Sequence, residues 1–136
     1  MRLVHTVSAI LLAAVPAMFR THPPANEPDL NEKIGALLQT HEPKIRSEHP
    51  SVSFACARVV PDHLVLESDL LIESKYIRKG TSPSKASEGI AGDLIKYPAD
   101  RHILFLAYDP NHAIQSDDVF ISDFESRGRC TVKILR

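Results

Sequence analysis

Apolar positions in the first part of the chain recur with a helical spacing. Leu3, Val7, Ile10, Leu11 and Ala14 fall on one face, and Pro16 ends or kinks the helix they form. The same run, LVHTVSAILLAAVPAMF behind Arg2 with Val15-Pro16-Ala17 near its end, also resembles a signal peptide, and a membrane anchor is a third reading. His5, Thr6, Ser8 and Pro16 interrupt it, and it is marginal against the ~20 apolar residues that a membrane span needs. A packed helix is therefore the expectation, with no stable membrane association. Residues 20–28 (RTHPPANEP) are proline-rich and aperiodic, as a linker would be. The chain thus divides into an apolar helix and linker over residues 1–25 and a main domain over 26–136.

A second helix follows, with Leu30, Ile34, Leu37 and Leu38 on one face, Asp29 and Glu32 in its first turn, and Pro43 closing it. Val52 and Phe54, with Val59 and Val60, suggest one or two short strands. A hairpin comes next: His63 to Leu66, a polar Glu67-Ser68-Asp69 turn, then Leu70 to Tyr76. Ser82-Pro83 opens a helix whose apolar face is Ala86, Ile90, Ala91, Leu94, Ile95 and Tyr97, stopped by Pro98. His102 to Tyr108 (HILFLAY) is an almost unbroken apolar run, the pattern of a strand covered on both faces. Strand, helix and strand in that order predict a right-handed parallel crossover. Ser116 caps a short helix carrying Phe120 and Phe124, and after Gly128 the alternation of Cys130, Val132 and Ile134 marks a last strand.

With 136 residues, 43% hydrophobic and 24% charged, the chain has the composition of one folded α/β domain. A formal charge of −1 supplies no general attraction to nucleic acid, so any such contact must come from local clusters. Cys56 and Cys130 stand far apart and form no metal motif. They read as buried thiols of a reducing, cytoplasmic setting. No phosphate-binding glycine loop, serine-hydrolase elbow or dinucleotide fingerprint is present, and His41 and His49 lack the spacing of a zinc site.

The chemistry concentrates on the hairpin. With Leu66 opposite Leu71, Leu64 faces Glu73 and Asp62 faces Lys75, and all six lie on one side of the sheet because side chains alternate. Val65, Leu70, Ile72 and Tyr76 then point to the other side. Two carboxylates and an ammonium converge, and carboxylate oxygens suit Mg²⁺, with the Ser74 carbonyl as a third protein ligand. A lysine at that place can orient an attacking water or offset charge that builds on phosphorus. A solvated strand face carrying Glu and Lys, behind an Asp in a turn, is the bland alternative.

Pro61-Asp62, ten residues, then Glu73-Ser74-Lys75 resembles the signature of the PD-(D/E)xK, or restriction-endonuclease-like, nucleases. The runs LIESKYIRKG, EGIAGDLIKY and HILFLAYDP are similar to the C-terminal nuclease domains of the DpnII/MboI-type group. The resemblance implies a restriction-endonuclease-like core, a mixed sheet of αβββαβ order, here followed by a C-terminal helix and strand. It further implies a Mg²⁺-dependent endonuclease, with Mn²⁺ as substitute, acting on DNA through Asp62, Glu73 and Lys75, and a homodimer where both strands are cut. Arg78, Lys79 and Lys85 are candidate contacts to backbone phosphates, and Glu48 a candidate additional acid. The alternative is a catalytically inactive module of the same fold that binds nucleic acid or a protein.

Overall fold

A computed structural model describes residues 2–47, 52–54, 57–59, 61–66, 68–80 and 82–136. The expectations attached to Glu48 and Cys56 lie outside the described residues. The chain order is α1 (Arg2–Met18), α2 (Glu27–His41), β1 (Ile45–Ser47), β2 (Val52–Phe54), β3 (Ala57–Val59), β4 (His63–Val65), β5 (Leu70–Tyr76), α3 (Pro83–Lys96), β6 (His102–Tyr108), α4 (Asp117–Glu125) and β7 (Cys130–Leu135). Five strands make a mixed sheet in the order β1-β4-β5-β6-β7, while β2 and β3 form a separate hairpin. The pairs β1–β4 and β4–β5 are antiparallel, and β5–β6 and β6–β7 are parallel.

Alternation along β5 and β6 sends side chains into two cores, one on each face of the sheet. Leu70, Ile72, Leu104 and Leu106 meet α1 and α2 through Val7, Leu11, Val15, Leu30 and Ile34. Leu71, Ile103 and Phe105 meet α3 and α4 through Ile90, Tyr97, Phe120 and Phe124. Coverage on both faces explains why HILFLAY is apolar at successive positions. Helix α1 is part of the first core, and among the described residues no helix is long and apolar enough to cross a membrane.

Helix starts follow local chemistry. The Asn26 side chain accepts the Asp29 N–H ahead of α2, and the Ser82 hydroxyl accepts the Lys85 N–H ahead of α3. Ser116 precedes α4 without making such a bond. Gly128 takes φ +79° in the turn into β7, a backbone conformation that glycine adopts without steric cost.

Three expectations are corrected. The meander begins at β1 rather than at Val52–Phe54, which pairs with Ala57–Val59 outside the main sheet. Ile45 is the only apolar residue of β1, so no alternation announced that strand. In the β4–β5 hairpin Leu64 faces Leu71 and His63 faces Ile72, a register displaced by two residues from the expected one. Because two is the side-chain period, every residue keeps its predicted side of the sheet although its neighbour changes. Finally, Ile95 is 73% exposed, and the position it was expected to fill on the inner stripe of α3 belongs to Asp93, which is 8% exposed.

Truncating Ile72, fully buried at the centre of β5, should cost about 2–5 kcal/mol as Ile72→Ala. Ile95→Ala, on the outer face of α3, should stay within about 0.5 kcal/mol. Urea unfolding of both variants checks the two-sided burial of the sheet.

Candidate active site

Strand β5 is longer than its antiparallel neighbour. The β4–β5 ladder ends at His63 opposite Ile72, whereas β5 continues to Tyr76. The Ser74 and Tyr76 N–H groups beyond that end still need acceptors, since buried backbone donors are costly to leave unpaired. Carboxylates replace the missing strand. Ser74 N–H donates to Asp62 Oδ2 at 2.8 Å, and Tyr76 N–H donates to Glu27 Oε2 at 3.3 Å. In return, Asp62 N–H donates to Glu73 Oε1 at 3.0 Å. These reciprocal bonds place Asp62 beside Glu73 rather than opposite Lys75, the neighbour given by the expected register.

Helix α3 closes the site from one face. Gly89 and Asp93, four residues apart on one side of the helix, and Tyr97, its C-cap in extended conformation, lie over the outgoing side chains of β5. Tyr97 O–H donates to Glu73 Oε1 at 2.5 Å, and Lys75 Nζ lies 2.6 Å from Asp93 Oδ2. Asp93 Oδ1 also faces Lys96 Nζ at 3.9 Å. The ammonium of Lys75 is thus directed to Asp93, although it remains close enough to Glu73 and Glu27 to feel both charges.

Electrostatics follow from this crowding. Burial, reinforced by the Asp62 charge, pushes Glu73 from 4.5 up to about 8. Burial likewise raises Asp62, against the Ser74 N–H that favours its anion. Burial, the largest single influence, disfavours the Lys75 ammonium, but the bond to Asp93 together with the charges of Asp93, Glu73 and Glu27 outweighs it and leaves the pKa above the ordinary value. The Tyr97 hydroxyl is raised by burial and by Glu73, so it stays a donor. Two acids in contact with one held proton form a place where negative charge is in excess once that proton leaves.

Of the remaining predicted residues, Arg78 is exposed and engaged at home. Its guanidinium donates to the Ala25 carbonyl and lies 5.0 Å from the Tyr76 ring centroid. Lys79 is exposed in the turn after β5, and Lys85 is exposed in the first turn of α3. All three flank the connection leaving the C-terminal end of β5, the end that carries the acids. Sequence reading missed Glu27, Asp93 and Tyr97. A signal existed for Asp93, a lone acid between Ile90 and Tyr97 on a buried helical stripe. Glu27 carried none beyond its place in a helical first turn, where an acid needs no further reason.

A sheet of this order with two acids and a lysine at one strand end is compatible with a restriction-endonuclease-like fold. Residues 21–136 match the DpnII-MboI restriction endonuclease family (REase_DpnII-MboI), and the chain belongs to that family. No curated protein and no solved structure matches the chain.

The Glu73 shift sets a pH dependence of stability. The folded carboxyl holds its proton to about pH 8, while the unfolded one releases it near 4.5. The stabilisation is therefore complete below about 4.5 and is lost as pH rises through about 8. Burial lowers His63 to about 4 from 6.5, so its opposite effect is confined to pH below 6.5. Between pH 6.5 and 8.5, without divalent cations, the melting midpoint should fall by on the order of 5 °C. Glu73→Gln should flatten that slope, as thermal denaturation across the interval will show.

Proposed function

We propose that the chain is a metal-dependent nuclease hydrolysing phosphodiester bonds of DNA, in a restriction or defence role in the cytoplasm. The observation that carries this reading is the contact between Asp62 and Glu73 at the end of β5, joined by one N–H···O bond of 3.0 Å. Among the described residues no group of three or more His, Cys, Asp or Glu side chains is arranged to hold a metal. The donor set nevertheless fits a hard cation: two carboxylates whose mutual repulsion is relieved by a proton would be relieved equally by Mg²⁺ or Mn²⁺. Asp62, Glu73 and the Ser74 carbonyl would hold it. When bound, such an ion supplies positive charge to a phosphate and acidifies a water.

The chain's own groups do the rest. Lys75, kept protonated beside Asp93, offers charge to the phosphate oxygens as negative charge builds on them. Glu27, one bond from the end of β5, adds a further acid to the same end. Arg78, Lys79 and Lys85 contact the DNA backbone, where cations give affinity without sequence choice. Two copies paired as a homodimer would present one site to each strand.

Asp62→Asn keeps volume but removes ligand charge, so it should abolish cleavage in Mg²⁺ or Mn²⁺ while leaving the circular dichroism spectrum unchanged. Lys75→Ala should slow single-turnover cleavage by about 10²–10³ and leave DNA affinity in Ca²⁺ nearly unchanged. A full-rate Lys75→Ala protein would remove the lysine from the reaction. A folded wild-type protein that binds DNA without cutting it would point to the inactive binding module.

A further inference from the structure

We propose that Asp93 and Tyr97 are positioning residues, through which α3 sets the places of the Lys75 ammonium and the Glu73 carboxylate. This deepens the nuclease reading and rests on it. A lysine on a strand ends in a flexible four-carbon stem whose head can take many positions. Here the stem lies against Gly89, where an added Cβ would stand 4.0 Å from both Cε and Nζ, and the head ends 2.6 Å from Asp93. A glutamate carboxylate rotates about a soft terminal torsion. Here one oxygen, Oε1, takes both the Tyr97 O–H at 2.5 Å and the Asp62 N–H at 3.0 Å, which fixes that rotation.

Both constraints come from the C-terminal end of α3, Asp93 in its last turn and Tyr97 as its C-cap, and both are buried: Tyr97 is 1% exposed and Asp93 8%. Strand β5 alone determines that Glu73 and Lys75 share a face. The distance between their functional atoms depends on where α3 holds each of them. Small displacements of reacting groups cost rate steeply, whereas substrate affinity from distant contacts is untouched.

The test uses the full chain and four variants: Tyr97→Phe, Asp93→Asn, Asp93→Ala and Asp93→Glu. Tyr97→Phe and Asp93→Asn preserve shape, so they report even where Asp93→Ala fails to fold. Single-turnover DNA cleavage in Mg²⁺ should fall tenfold or more in Tyr97→Phe and Asp93→Asn, with DNA affinity in Ca²⁺ unchanged. Asp93→Glu should recover part of the loss. Without any metal, reductive methylation of Lys75, read by peptide mass spectrometry, should quicken in Asp93→Asn and not in Tyr97→Phe. Mn²⁺ affinity by calorimetry should weaken in Tyr97→Phe and not in Asp93→Asn.

Three results overturn the proposal while sparing the nuclease reading. They are full-rate cleavage by both conservative variants when Lys75→Ala is slow, losses that vanish at temperatures where the variants are fully folded, and unchanged Lys75 labelling in Asp93→Asn. A folded wild-type protein that neither cuts DNA nor binds Mn²⁺ overturns the nuclease reading itself, and the proposal with it.

Discussion

Everything at the candidate site depends on one mismatch of length. Strand β5 outruns β4, so its last N–H groups face a place where no strand remains to receive them. The fold answers with side-chain carboxylates, Asp62 for Ser74 and Glu27 for Tyr76. An acid recruited to satisfy backbone donors is also an acid held at low mobility in a partly dry environment. The demand that finishes the sheet is thereby the demand that concentrates negative charge at its open end.

That concentration is tolerable because neighbouring elements divide the burden. The Asp62–Glu73 pair retains a proton, Lys75 answers Asp93 across the sheet–helix interface, and Tyr97 gives Glu73 a neutral donor. Each arrangement is a compromise between desolvation and pairing, since a buried charge gains from its partner only what burial has not already cost. The two apolar cores on either face of β5 provide the rigidity that makes this compromise sustainable, because close-packed interiors do not yield to small electrostatic gradients.

Much of this was legible from residues alone. The span of β6 follows from its almost unbroken apolar run, that of β5 from its place after the polar Glu67-Ser68-Asp69 turn, α3 from its Ser-Pro start, and the common side of Asp62, Glu73 and Lys75 from the parity of alternation. What escaped was information that tertiary structure supplies. Strand β1 has one apolar residue and exists because β4 offers it an edge. The hairpin register was displaced by two because its turn chemistry is weak and both registers bury apolar pairs. Asp93 was invisible as a partner of Lys75 because the crossover decides which helical face meets which strand. Arg78 shows the converse: its charge was plain, but its bond to the Ala25 carbonyl was not.

The β2–β3 hairpin lies in the connection between β1 and β4, outside the sheet those strands build. The pairing of β1 with β4 closes that connection whatever it contains, and lengthening a flexible loop twofold costs only about 0.6 kcal/mol in closure entropy. The connection ends at the buried Pro61, whose ring restricts the backbone immediately before Asp62. Insertions, deletions or wholesale exchange of the hairpin can therefore accumulate upstream without changing the approach of Asp62 to β5. A change of length there is taken up before the chain reaches β4, whereas a change of length between β4 and β5 would shift the register that sets Asp62 beside Glu73.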